Sequence, residues 1–198
     1  MIEGKTPEIT LEQARTLIRS VDTGHVVGLR DRAILATLAY TACRAGAVAK
    51  LRLGDFQHDG QQYVLRFQEK GGKSREIPVR HDLEGLILAY VDAAGLAGEA
   101  KDMPLFRASN GRSRTLTAKS LGTERICELV KRRLKDAGLP SRLSPHSFRV
   151  TAITSLLEQG VPMEDVQYLA GHAEPRTTTL YDRRKKRVTR NIVERIPI

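Results

Sequence analysis

Apolar positions recur at helical spacing along most of the chain and alternate at period two in one short region. Ala14, Leu17 and Ile18 share a side of a segment opened by Thr10-Leu11-Glu12-Gln13, a capping box with Gln13 three residues after the cap threonine. From Leu29 to Ala42 a second helix carries a wide apolar face of Leu29, Ala33, Ile34, Ala36, Leu38 and Ala39. A third runs from His81-Asp82 through Leu83, Leu86, Ile87, Tyr90 and Val91 to a stop at Gly95. A fourth, Thr123 to Leu134, turns Ile126, Leu129, Val130 and Leu134 inward and Lys131, Arg132, Arg133 and Lys135 outward, ending before Gly138 and Pro140. Ser144-Pro145 opens a fifth, with a capping hydroxyl and then a ring whose missing N–H is no loss at the first helical position. A sixth begins at Pro162 and stops at Gly171.

Between the second and third helices the period changes. Asp59-Gly60 is a hairpin signal, Tyr63 to Phe67 alternates, and Ser74 to Val79 returns with Ile77 and Val79 inward after a tight Lys70-Gly71-Gly72-Lys73 turn. The expected fold is α+β, mainly α, with a small three-stranded antiparallel sheet. Residues 98 to 119 read as loop-rich. There Arg107, Arg112, Arg114 and Lys119 either meet a nucleic-acid backbone or are solvated.

Composition narrows the function. The 198 residues suffice for one domain with a substantial core, and 40% are hydrophobic. A net charge of +10 points to an anionic partner, with nucleic acid first, because spread Lys and Arg neutralise phosphates and release counterions. A solvated basic surface is the plain alternative. Cys43 and Cys127 form no metal-spaced pair, so both are expected reduced and mostly buried in a cytoplasmic protein. No apolar run approaches a membrane span.

The chemistry concentrates late in the chain. His146 and Arg149 stand three apart on one helix face near its positive end, a setting for an anion. His172 follows the glycine stop, and Tyr181 lies a short loop further on, after Thr177-Thr178-Thr179-Leu180. Two histidines, an arginine and a tyrosine suit the handling of a phosphodiester through a covalent tyrosine bond. Taken singly, His146 also fits a satisfied core histidine and Tyr181 an amphipathic surface residue. A zinc site on His146 and His172 lacks a third ligand at a usual spacing. The lysine turn is no nucleotide phosphate loop, since no helix follows it.

The order H-x-x-R, G-H and T-T-x-x-Y resembles the tyrosine recombinase (phage integrase) family, and the likeness covers nearly the whole chain. It implies the recombinase catalytic fold and a metal-independent DNA strand transferase without cofactor. Such an enzyme cleaves and rejoins double-stranded DNA through a 3′-phosphotyrosyl intermediate. By this resemblance Tyr181 is the nucleophile, Arg44 and Arg149 hold the scissile phosphate, and His146 accepts the phenolic proton. His172 hydrogen-bonds the phosphate and Lys70 protonates the leaving group, with Lys73 as runner-up. Arg44 alone would read as a surface charge or helix-end cap; its place before Leu51 and Asp55 matches the family. Where many relatives carry a glutamate three residues after that arginine, this chain has Ala47. Expected boundaries are a leader at 1–9, the catalytic domain at 10–187 and a tail helix at 188–198. That tail, with Val188, Ile192 and Ile196 at helical spacing, either folds back or docks on a neighbouring protomer. Docking fits a chain monomeric when free and tetrameric on DNA. An amino-terminal DNA-binding domain is expected in the full-length protein. A type IB-like topoisomerase and a noncatalytic DNA-binding module are the competing functions.

Overall fold

The computed structural model describes residues 6–68, 74–110 and 113–171. Its centre is α2 (Val26–Thr41), whose buried residues fall on every side. His25 caps it: the imidazole Nδ1 accepts the Gly28 N–H at 2.9 Å. Gly28 is required there, because a Cβ would stand 1.8 Å from the Asp22 carbonyl oxygen. Packed on α2 are α1 (Leu11–Ser20), α3 (Ala45–Lys50), α4 (His81–Ala93), α5 (Thr123–Asp136) and α6 (Pro145–Glu158). A final short helix, α7 (Met163–Ala170), lies against α6.

Local signals placed α1, α6 and α7 where expected. Both halves of the Thr10–Gln13 capping box form, at 3.0 and 3.1 Å. The α6 entry follows Ser144-Pro145, and the Ser144 N–H donates to the Ser147 hydroxyl at 3.1 Å. Gly171 ends α7 in the left-handed conformation, φ 61°.

The three-stranded antiparallel sheet also forms, in the order β1 (Phe56–His58), β2 (Tyr63–Gln68), β3 (Ser74–Pro78). Its register pairs Leu65 with both Phe56 and Ile77, so Leu65 and Ile77 enter the core together. One large apolar cluster joins α1 to α6 with this sheet. A smaller one unites Ala42 with Ile153 and Leu157 of α6 and Val166 and Ala170 of α7.

Three readings are corrected. Part of the region read as loop is a second, two-stranded sheet, β4 (Arg107–Ser109) with β5 (Leu116–Ser120). Arg107 is no nucleic-acid contact: it is 8% exposed and ion-paired with Glu99. Arg133 leaves the outward basic face of α5 to join Arg132 and Arg30 around Asp31, which is fully buried. Arg112 lies outside the described residues.

Candidate active site

The site begins where α2 stops. Ala42 adopts a left-handed conformation, φ 50° and ψ 20°, and turns the chain back through Cys43 into Arg44. Arg44 occupies the N-cap position of α3, yet its side chain makes no cap bond and is exposed. From the other side α6 packs on α2 and delivers Arg149, 1% exposed, whose Nη1 donates to the Ala42 carbonyl. His146, in the first turn of α6, is exposed at the rim.

Arg44, His146 and Arg149 thereby line one hollow of about 370 Å³, together with Cys43, Thr123 and Cys127. A second hollow, of about 540 Å³, shares Arg44, Gly46 and Thr123 with the first and adds Lys50, Gln68 and Arg75. Of the six residues singled out in the sequence, these three are brought together. Lys70, His172 and Tyr181 lie outside the described residues, as do Lys73 and the tail.

Among the described residues no carboxylate lines either hollow, so its fixed charge is positive. Ala47, in the wall of the second hollow, presents only a methyl there. The His146 pKa is lowered from its usual 6.5, first by desolvation against the wall, then by repulsion from Arg149 and Arg44. A neutral imidazole beside two guanidiniums can accept a proton, while the guanidiniums stay charged and offer forked donors to phosphate oxygens. Among the described residues no group of three or more His, Cys, Asp or Glu is gathered to hold a metal.

Thr123, Cys127, Lys50 and Arg75 were not assigned to the site from sequence. Thr123 and Cys127 stand on α5, and only the packing of α3 on α5 brings them to Arg44. Arg75 follows the Lys70-Gly71-Gly72-Lys73 turn by two residues, and nothing in the sequence says what it touches.

Comparison with known proteins decides the family. The sequence model of the phage integrase family matches residues 7–187. The chain belongs to the phage integrase family. As a member it resembles the tyrosine recombinase XerC of Pelobacter propionicus, 31% identical over 173 residues that cover 87% of this chain and 54% of that protein. The chain spans about half the length of the curated relatives it matches. This phage integrase domain shares its fold with XerA recombinase, with a TM-score of 0.71 at 24% identity over 94% of this chain and 62% of that one. It also superposes on XerH recombinase in a post-cleavage complex with its difH substrate, with a TM-score of 0.73 at 22% identity over 89% of this chain and 49% of that one.

Proposed function

We propose that this domain is the catalytic part of a site-specific DNA recombinase or integrase that breaks and rejoins duplex DNA through Tyr181. The observation that carries the reading is the meeting of Arg44 with His146 and Arg149 in one basic hollow, although about a hundred residues separate them. Relatives named recombinases, and the XerH site-specific recombinase complex with its difH substrate, support it.

In this reading the scissile phosphate sits against Arg44 and Arg149. The Tyr181 hydroxyl attacks phosphorus, and neutral His146 takes its proton. The bond from phosphorus to the 5′-oxygen breaks, and Lys70 protonates that oxygen to leave a free 5′-hydroxyl. A 3′-phosphotyrosyl link stores the bond energy, so the hydroxyl of another strand reverses the step. No metal or external energy source is needed. An approaching phenolate adds charge to an already anionic phosphodiester, which is why fixed cations matter; one well-placed donor is worth about 10²–10³ in rate. His172 adds a hydrogen bond to the same phosphate. The apolar stripe of the tail, Val188, Ile192 and Ile196, docks on a neighbouring protomer to build a tetramer on DNA.

A nicked duplex that traps the covalent adduct tests the reading. The wild-type chain, within its full-length protein, forms an adduct resistant to denaturation, and Tyr181→Phe forms none. Arg149→Ala abolishes cleavage with little loss of DNA affinity, because many other cations share the nonspecific contacts. An adduct that persists in Tyr181→Phe refutes the assignment.

A further inference from the structure

The proposed function gives Arg75 no part, yet it is among the most buried charges of the described residues. It is the second residue of β3, 5% exposed, with its guanidinium 5.0 Å above the Phe67 ring. Its Nη1 donates to the carbonyls of Tyr168, at 3.3 Å, and Leu169. These belong to the last turn of α7, where the Gly171 N–H also reaches the Tyr168 carbonyl at 3.0 Å and the helix presents its negative end. Removing a guanidinium from water is unfavourable without such acceptors. The same two elements meet a second time: the Tyr168 hydroxyl donates to the Glu76 carbonyl and accepts the Glu76 N–H, both at 3.4 Å.

Position gives this contact its meaning. Arg75 and Ala170 both line the hollow that Arg44 shares with the candidate active site. β3 and the end of α7 are 93 to 94 residues apart, so the contact fixes two distant segments at one wall of that hollow. In the sequence, His172 comes directly after Gly171, the residue that caps α7. We propose that Arg75 is a positioning residue for strand cleavage, pinning the last turn of α7 to β3 and so setting where the chain leaves the helix toward His172. This inference rests on the proposed function. Arg75 acts through carbonyls, and Arg44 and Arg149 remain the phosphate ligands. A lysine in its place keeps the charge but loses the planar fork and its stacking on Phe67.

The test uses Arg75→Lys and Arg75→Gln, each alone and combined with His172→Gln, in the full-length protein. Adduct formation on the nicked duplex is followed in a single turnover at saturating DNA. The expected result is a loss of about 10²-fold in cleavage rate, the scale set by misplacing a reacting group by about an ångström. DNA affinity changes less than about threefold, because the many phosphate contacts elsewhere persist. The double variants lose no more than His172→Gln alone, the mark of one residue acting through the other. In the free protein, amide exchange at Val166 to Ala170 speeds up while α6 keeps its protection. A wild-type rate in both variants, losses that multiply with His172→Gln, or losses that track the unfolded fraction in both would overturn the inference. If the wild-type protein itself forms no adduct, the proposed function fails and this inference with it.

Discussion

Arg149 donates through Nη1 to the carbonyl of Ala42, a residue 107 positions earlier in the chain. The bond joins the end of α2 to the first turns of α6, and the turn at Ala42 leads directly into Arg44. The two arginines of the candidate site are therefore referenced to one peptide unit. Ala42 is fully buried and left-handed, a conformation that costs a non-glycine residue about 1–2 kcal/mol.

Substitutions at Ala42 test that geometry. Ala42→Gly removes the backbone penalty but also a buried methyl, worth about 0.8 kcal/mol, and adds backbone entropy of about 0.5–1 kcal/mol. Its stability by urea titration is expected to stay within about 0.5 kcal/mol of wild type, these contributions nearly cancelling. Ala42→Val forces a β-branched residue into the left-handed region and overfills a closed pocket. A cost of about 2–3 kcal/mol is expected, with cleavage reduced in the protein that remains folded.

Asp31 is the centre of a buried charge cluster. It is fully buried, receives Arg30 at 2.7 Å and Arg133 at 2.7 Å, and reaches Arg132 at 3.3 Å. Arg30, itself 2% exposed, also donates to the Arg107 carbonyl at 2.7 Å. Asp31→Asn leaves a buried guanidinium without its counter-charge, so destabilisation of about 3 kcal/mol is expected from chemical unfolding. A variant within about 0.5 kcal/mol of wild type would contradict a structural role for the network.

His146 sets an acid limit on stability and, in the proposed function, on rate. Its folded pKa lies below the usual 6.5, so below that pH the unfolded chain takes up a proton that the folded chain does not. Stability therefore falls as pH drops from 6.5 toward the folded value and then levels off. His146→Gln flattens that part of the stability profile, read from thermal melts across the pH range. If the neutral imidazole is the base, wild-type kcat/KM for cleavage at pH 6.5 keeps more than half its plateau value. In kcat/KM, which reports the DNA-free protein, an apparent pKa at or above 6.5 on the acid limb would argue against His146 as the base.

The two thiols report on the same hollow. Burial pushes the Cys43 thiol up to about 11, and only 1% of the residue is exposed. Cys127, half-buried on α5, lines the hollow beside Arg44. Iodoacetamide at mildly alkaline pH is expected to label Cys127 in the folded protein and both cysteines after denaturation. Bound DNA should slow the labelling of Cys127, followed by mass spectrometry of the alkylated peptides. Equal labelling with and without DNA would mean that DNA does not cover this hollow.

Signals that act over three or four residues were legible in the sequence. The Thr10–Gln13 box, the Ser144-Pro145 entry and the Gly171 stop each satisfy backbone groups locally, so the helices they bound could be read without knowing the fold. The alternation through Tyr63 to Phe67 likewise gave the central strand of the sheet. The six-residue α3 was missed, because Ala45 to Lys50 is too short to establish a period and stands by packing on α5. The β4–β5 pair escaped for the same reason, its strands held by each other across a turn. Nor could the sequence separate cations that face solvent from those turned inward: Arg107 and Arg133 look no different from Arg114 and Lys119 until Glu99 and Asp31 are brought to them. Residue types and local caps belong to the chain itself; the meeting of Arg44 with Arg149, and of Arg75 with the end of α7, belongs to the tertiary structure. Those contacts span most of the polypeptide, and only burial of the shared core fixes which distant groups meet.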